Sequence, residues 1–426
     1  MKTLIILLAL LLPAAAGSQV KFDDWFTPQT LRFDYIRAGN DRTNEIFFQE
    51  LKKEPAWSGN KKSCIDPFEY GHYRYILFDS ASEKMIYSRG YNTLYDEWQS
   101  TPEAKTLNRG LYETVVTPYP KKSVRLELHE RGAGGIMKKQ FELYINPDNM
   151  YINREAPSKY PVTKVIDNGD PLEKVDIVFL PDGYTKDEME RFLSDSKEYA
   201  QYLLDCSPFK ENKTKFNFWA VQAPSDESGV DNPGTGAWKN SIVNSGYYSL
   251  DVERYLMTYD IRSVRNLAGG TPYDNIVIIS NSDKYGGGAI YNYYTSIPNR
   301  NNDGPYLIVH EFGHHFCALG DEYYTSQVSV DDYYKLNLEP YEANLTTLVN
   351  FDGKWKNMMD KDTPIPTPST PEYKDKLGVF EGGGYVAKGV YRPKQDCTMK
   401  SRTYNNFCPV CAKALIEMIN YYTADK

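Results

Sequence analysis

Residues 309–323, read as Val-His-Glu-Phe-Gly-His-His-Phe-Cys-Ala-Leu-Gly-Asp-Glu-Tyr, constrain the fold of this chain more than any other stretch. On a helix, His310 and His314 lie about one turn apart and share a face. Two imidazoles held that way can reach one metal ion, and Glu311 beside them carries a carboxylate able to polarise a metal-bound water. The spacing therefore requires a helix. The apolar Leu307, Ile308, Val309, Phe312 and Phe316 around the motif require that helix to be buried inside a domain. Pro305 suits its first position, where a missing N–H costs nothing, and Gly320 is the expected terminator.

The rest of the chain supplies surroundings for such a helix. From Lys21 to about Tyr160 the pattern is strand-like. Segments 73–79, 84–88, 124–129 and 140–145 alternate or run apolar between turn formers, which predicts an antiparallel β-sandwich. Pro157 to Pro171 reads as a linker. Beyond it, strands are expected at 175–180, 216–221 and 275–280, with a helix from Thr185 to about Cys206 between the first two. Thr185 and Glu188 form a capping box at its start. This order argues for an α/β layer with a mainly parallel sheet. Three glycines, 286–288, follow the last strand; they fit either an edge where a peptide pairs as an added strand or a flexible turn. Residues 324–395 read as loop-rich, and a closing helix spans about 409–422. The predicted organisation is a leader at 1–18, a β-sandwich domain at 19–160 and an α/β domain at 161–426.

The third ligand is open. His72 and His129 fall among the N-terminal strands as ordinary histidines, and His315 points about 100° away from His314. A carboxylate is therefore expected, with Asp321 favoured and Glu322 the rival. On an unbroken helix Asp321 would sit roughly 10 Å further along the axis, so its participation requires the helix to end between Phe316 and Gly320. Asp321 acting on a histidine from outside the metal shell is the other reading. Two histidines, a carboxylate and water leave an open coordination position, which marks a catalytic zinc rather than a structural one. Tyr385 or Tyr404 is a candidate to steady an oxyanion. The acidic loop 226–233 is compatible with Ca2+ but lacks an EF-hand spacing and reads as solvated.

Leu4 to Leu12 is an apolar run behind Lys2 and ahead of a small-residue region, the pattern of a cleaved signal peptide and too short to cross a bilayer. The chain is accordingly read as exported (secreted, periplasmic or at the cell surface) and monomeric, without a transmembrane segment. Its net charge of −8 and the lack of Lys/Arg clusters argue against nucleic acid. Export permits disulfides. Of the six cysteines, Cys408 and Cys411 have redox or zinc spacing but no second cysteine pair, so a disulfide from one of them to Cys397 is expected.

These residues carry a resemblance. The chain resembles the IgA-peptidase (M64) family of zinc metallopeptidases, a metzincin-like group. The similarity runs through 175–184, Pro224-Ser225 to Ser228-Gly229, His310 to Tyr323, Pro366-Thr367-Pro368, Tyr391-Arg392-Pro393, and Cys397 and Met399 through to Cys411. It implies one catalytic Zn2+ held by His310, His314 and Asp321, with Glu311 as general base and Met399 in a turn beneath the metal. It also implies a protein or glycoprotein substrate. The metzincin glycine three residues after the second histidine is Cys317 here. The competing class is an extracellular binding or adhesion protein with an inactive peptidase domain; the intact His310, Glu311 and His314 argue against it.

Overall fold

The computed structural model describes residues 20–157, 159–324 and 334–423; the expected leader at 1–18 lies outside them. A short helix α1 (Phe22–Trp25) leads into β1 (Phe26–Gly39), which pairs antiparallel with β2 (Asn44–Glu54) and β5 (Arg109–Pro120). A second antiparallel sheet, in the order β4-β3-β6-β7, is built from β3 (Tyr73–Asp79), β4 (Met85–Tyr91), β6 (Val124–Arg131) and β7 (Met137–Ile145). The two sheets share one core, in which Phe33, Tyr35 and Val115 meet Tyr75, Leu77, Leu126 and Leu128. The expected strands all lie in the second sheet. The first sheet lacks that apolar alternation because β1 buries charge: Arg32 and Asp34 pair at 2.6 Å and Arg37 and Glu113 at 2.8 Å.

The second half is organised on a six-stranded mixed sheet. Its strands are β8 (Val162–Ile166), β9 (Val175–Asp182), β10 (Phe216–Val221), β11 (Asn275–Ser280), β12 (Gly288–Ile290) and β13 (Tyr294–Pro298), in the order β12-β13-β11-β9-β10-β8. The four inner strands run parallel and both edges are antiparallel. β8 lies within the stretch read as a linker; as an edge strand with polar residues between Val162 and Ile166, it carries little apolar signal.

The inner strands are buried on both faces, as a parallel sheet demands. On one face Ile177 and Phe179 meet α3 (Met189–Asp205), α5 (Gly304–Cys317) and α6 (Pro409–Thr423). On the other, Val178 and Leu180 meet α4 (Ile261–Ala268) together with Leu94 and Trp98 of α2 (Leu94–Gln99), so an N-terminal helix shares this core. The capping box ahead of α3 forms, with the Thr185 N–H donating to Glu188 at 2.9 Å. The stretch read as loop contains a hairpin of β14 (Phe380–Gly383) and β15 (Val386–Arg392). The whole is a mixed α/β fold with several antiparallel sheets. Among the described residues no helix is long and apolar enough to cross a membrane.

Candidate metal centre

Helix α5 is almost wholly buried, with Pro305 as its second residue. It ends at Cys317. Ala318 takes the left-handed conformation (φ 53°), its N–H donating to the His314 carbonyl at 2.9 Å, and Leu319 then donates to the Gly313 carbonyl at 3.2 Å. The expected terminator, Gly320, has a different role. A Cβ there would lie 2.5 Å from Leu345, and Asn344 clamps both its N–H and its carbonyl at 2.8 Å, so it is glycine for lack of space.

The turn at Ala318 folds the chain back under the helix. The 321–323 segment is then pinned on two sides. Gly384 and Tyr385, at the tip of the β14–β15 hairpin, donate backbone bonds to the Asp321 and Tyr323 carbonyls, while Glu322 donates to the Met399 carbonyl at 2.8 Å. Asp321 thereby reaches the two histidines. Its Oδ1 lies 3.1 Å from His310 Nε2 and 3.4 Å from His314 Nε2, and the two nitrogens are 3.2 Å apart. Donors about 2.0–2.1 Å from one tetrahedral zinc are separated by about 3.3–3.4 Å, so the triangle has the size of a zinc ligand set.

The far ring nitrogens are already committed. His310 Nδ1 donates to the Thr398 carbonyl at 3.0 Å, and His314 Nδ1 to the Leu319 carbonyl. Protons held at Nδ1 leave the Nε2 lone pairs free to face a metal, the arrangement that outer partners impose on ligating imidazoles. Burial disfavours charge on His314, yet Asp321, followed by Glu311, pushes it up to about 9. Asp321, though buried, is held well below the usual carboxylate range by His314 and His310. The cluster favours a positive charge at its centre. Asp321 Oδ1 forms no hydrogen bond of its own, while Oδ2 accepts one from the Tyr385 hydroxyl. These residues fit a divalent cation.

Met399 sits in the turn 397–400 against the underside of α5; a Cβ on Gly313 would be 3.1 Å from its sulfur. Glu311 lines an open cleft of about 170 Å³ together with His310, His314, Asp321 and the edge strand β12. Asn92 and Glu97 of the N-terminal half also line it, and Glu97 accepts a bond from the Tyr255 hydroxyl at 2.7 Å. The glycines at the start of β12 serve close packing: a Cβ at Gly288 would meet the Tyr255 ring at 2.3 Å, and Gly287 just before the strand donates to the Arg254 carbonyl at 3.1 Å.

The other candidate residues lie outside the triangle. Glu322, the rival ligand, faces away into a cluster of thiols. The Tyr385 hydroxyl is spent on Asp321, and that of Tyr404 donates to the Tyr202 carbonyl at 2.6 Å. His315 is buried against Thr295 at 3.0 Å, and burial pulls it down to about 3. Asp226, Glu227 and Asp231 are taken up by hydrogen bonds to Lys239 and Asn240. The expected disulfide is absent. All six cysteines are free thiols, and the Cys397 and Cys411 sulfurs stand 3.8 Å apart, nearly twice a disulfide bond of about 2.05 Å. The roles of Asn92, Glu97 and the Thr398 carbonyl had no signal in the sequence, since tertiary approach alone creates them.

A family model described as IgA Peptidase M64 matches residues 163–377 and 369–419, and one described as Peptidase M64 N-terminus matches residues 21–142. No curated protein matches the chain.

Proposed function

The chain belongs to the IgA peptidase M64 family, whose two models together span most of its length, and from that premise we propose that it is a zinc-dependent endopeptidase acting on protein or glycoprotein substrates. The observation that carries this reading is the convergence of His310 Nε2, His314 Nε2 and Asp321 Oδ1, every edge between 3.1 and 3.4 Å, beside Glu311 in an open cleft. His310, His314 and Asp321 would hold the ion. Zinc held there supplies a Lewis acid that polarises a carbonyl and acidifies water.

The chain's own residues do the rest. Glu311 is placed to take a proton from the attacking water and return it to the leaving amine. Asp321, fixed by Tyr385, and the histidines, fixed by Thr398 and Leu319, keep their geometry without reorganisation during the reaction. β12 is a sheet edge on the cleft, suited to lay an extended substrate across Glu311 by backbone pairing. Asn92 and Glu97 bring the N-terminal half into the substrate wall, in keeping with a division into a β-sandwich at 19–160 and a catalytic domain at 161–426. The turn carrying Met399 beneath α5 supports a metzincin-like architecture for the second domain. The apolar segment Leu4–Leu12 supports export.

Purified protein should cleave casein or a mucin glycoprotein, and Glu311→Ala should abolish cleavage while retaining zinc. A Glu311→Ala protein as active as the parent would remove Glu311 from the mechanism.

A further inference from the structure

Glu322, the residue after Asp321, ends in a cluster with Cys397, Cys408 and Cys411. One ligand atom from each lies within 4.8 Å of all the others, and none of the four side chains exceeds 2% exposure. Cys397 comes from the turn that carries Met399, Cys408 directly precedes α6, and Cys411 lies in its first turn. Cys408 and Cys411 alone supply two donors, and the fold brings in the other two, Cys397 and Glu322.

Three observations point to a ligand. The Cys397–Cys411 sulfur separation of 3.8 Å matches the edge of a tetrahedron with Zn–S bonds of about 2.3 Å, which is about 3.8 Å. Backbone N–H groups already point at the sulfurs, Cys408 to Cys397 at 3.3 Å and Cys411 to Cys408 at 3.5 Å, as thiolate ligands require. Finally, Glu322 is fully buried, with Oε1 bonded to Asn344 at 3.0 Å and to the Cys411 thiol at 3.2 Å, and with Oε2 bonded to nothing. A carboxylate left this way is costly unless a cation completes it.

We propose that Glu322, Cys397, Cys408 and Cys411 form a second metal site, structural in type, that takes one thiolate-favouring divalent cation, with zinc foremost. Four protein donors close the coordination sphere, so the site leaves no position for substrate. Soft thiolates select zinc over magnesium or calcium. Binding is not a redox step: the thiol protons and any proton on Glu322 are released as the metal enters, and the sulfurs stay as thiolate ligands. The site sits where it can brace the first centre. Glu322 adjoins Asp321 and bonds to the Met399 carbonyl, and Cys397 adjoins Thr398, whose carbonyl fixes His310.

The test uses full-length protein purified with zinc, its metal content measured by mass spectrometry. The parent should carry two zinc ions per chain. His310→Ala/His314→Ala should retain one, and X-ray absorption of that variant should show a sulfur-dominated shell at about 2.3 Å. Denatured in chelator without reductant, the parent should expose all six cysteines to a thiol reagent. Glu322→Gln and Cys408→Ser/Cys411→Ser should each lose zinc; if the cysteine variant does not fold, the spectrum of the histidine variant still decides. A metal-free histidine variant with its thiols reduced, or an intact mass showing a disulfide among Cys397, Cys408 and Cys411, would overturn the proposal. Failure of the peptidase reading looks different: a protein holding zinc on sulfur but cleaving nothing.

Discussion

Asp321 and Glu322 are neighbours in the chain whose carboxylates serve opposite sides of it: Asp321 Oδ1 lies 3.1 Å from His310 Nε2, and Glu322 Oε1 lies 3.2 Å from the Cys411 sulfur. Backbone bonds from Gly384 to the Asp321 carbonyl and from Glu322 to the Met399 carbonyl pin this segment so that Asp321 alone faces the histidines. Asp321→Ala should therefore empty the histidine centre, weakening zinc by more than the roughly 10–100-fold that loss of an outer partner costs. Glu322→Gln should affect that centre far less. Peptidase activity titrated against a zinc chelator reports the histidine centre in each variant, and equal losses of activity in the two would contradict the assignment.

Tyr385 is held at φ 68°, an unusual backbone for an aromatic residue, and the hairpin tip that imposes it aims the hydroxyl at Asp321 Oδ2. Tyr385→Phe removes one hydrogen bond and little volume. Zinc affinity or turnover should fall by about 10–100-fold, with the thermal midpoint almost unchanged. Restored activity at raised zinc concentration would identify orientation of Asp321 as the cause; an unchanged zinc affinity would show that the hydroxyl does not position it.

What the sequence revealed tracks what local patterning can encode. The His310–His314 spacing, the capping box at Thr185 and the apolar stripe of the closing helix are local, and each sits where periodicity puts it. β1 carries no clean apolar alternation because it buries Arg32, Asp34 and Arg37, and the partners that complete these charges, Tyr112, Thr114, Asn266 and Glu113, come from other elements. Helix termination was misread for a related reason. Gly320 has the residue type of a terminator, but its constraint is contact with Leu345, and Ala318 takes the left-handed turn instead. The thiol cluster has no local signature, because Glu322 joins Cys408 and Cys411 only through the folding back of the segment after α5.

Asp176, on central strand β9, has an unusual proton affinity. Burial pushes it up to about 7, against the opposing bonds from Trp219 and Asn217, and Asp274 donates no charge relief, being another carboxylate at hydrogen-bond distance from the Asp176 N–H. A raised carboxyl pKa means that the folded chain holds a proton which the unfolded chain, with its ordinary value near 4, releases. Stability from this group is present below about pH 4 and is lost as pH rises through about 7. Asp176→Asn keeps an acceptor for Trp219 and Asn217, removes this carboxyl's titration and takes one charge away from Asp274, whose own carboxyl burial holds well above the usual range. The midpoint of the variant relative to the parent should rise between about pH 4 and about pH 7. A constant difference across that range would show that Asp176 is ionised in the fold throughout.

Arg32 and Asp34 form a fully buried pair on β1, bonded at 2.8 and 2.6 Å, and the pair reaches in two further directions. Asp34 accepts from Tyr112 and Thr114 of β5, each at 2.7 Å, while Arg32 donates to Asn266 of α4 at 2.9 Å. The pair thus ties the N-terminal sheet both to its neighbouring strand and to the helix that covers the mixed sheet. Removing one partner strands the other charge in the interior, at about 3–5 kcal/mol, whereas replacing both with apolar residues removes the pair's charges and their desolvation together, leaving Glu54, 3.4 Å from Arg32, to its bond from Tyr273. Arg32→Met and Asp34→Leu should each be strongly destabilising alone, and the double variant should lose less than the sum, by a coupling of about 0.5–3 kcal/mol. Denaturant unfolding of the four proteins gives that difference directly. Additive losses would mean that Tyr112, Thr114 and Asn266 already satisfy the two charges separately, and that β1 is held by those bonds rather than by the ion pair.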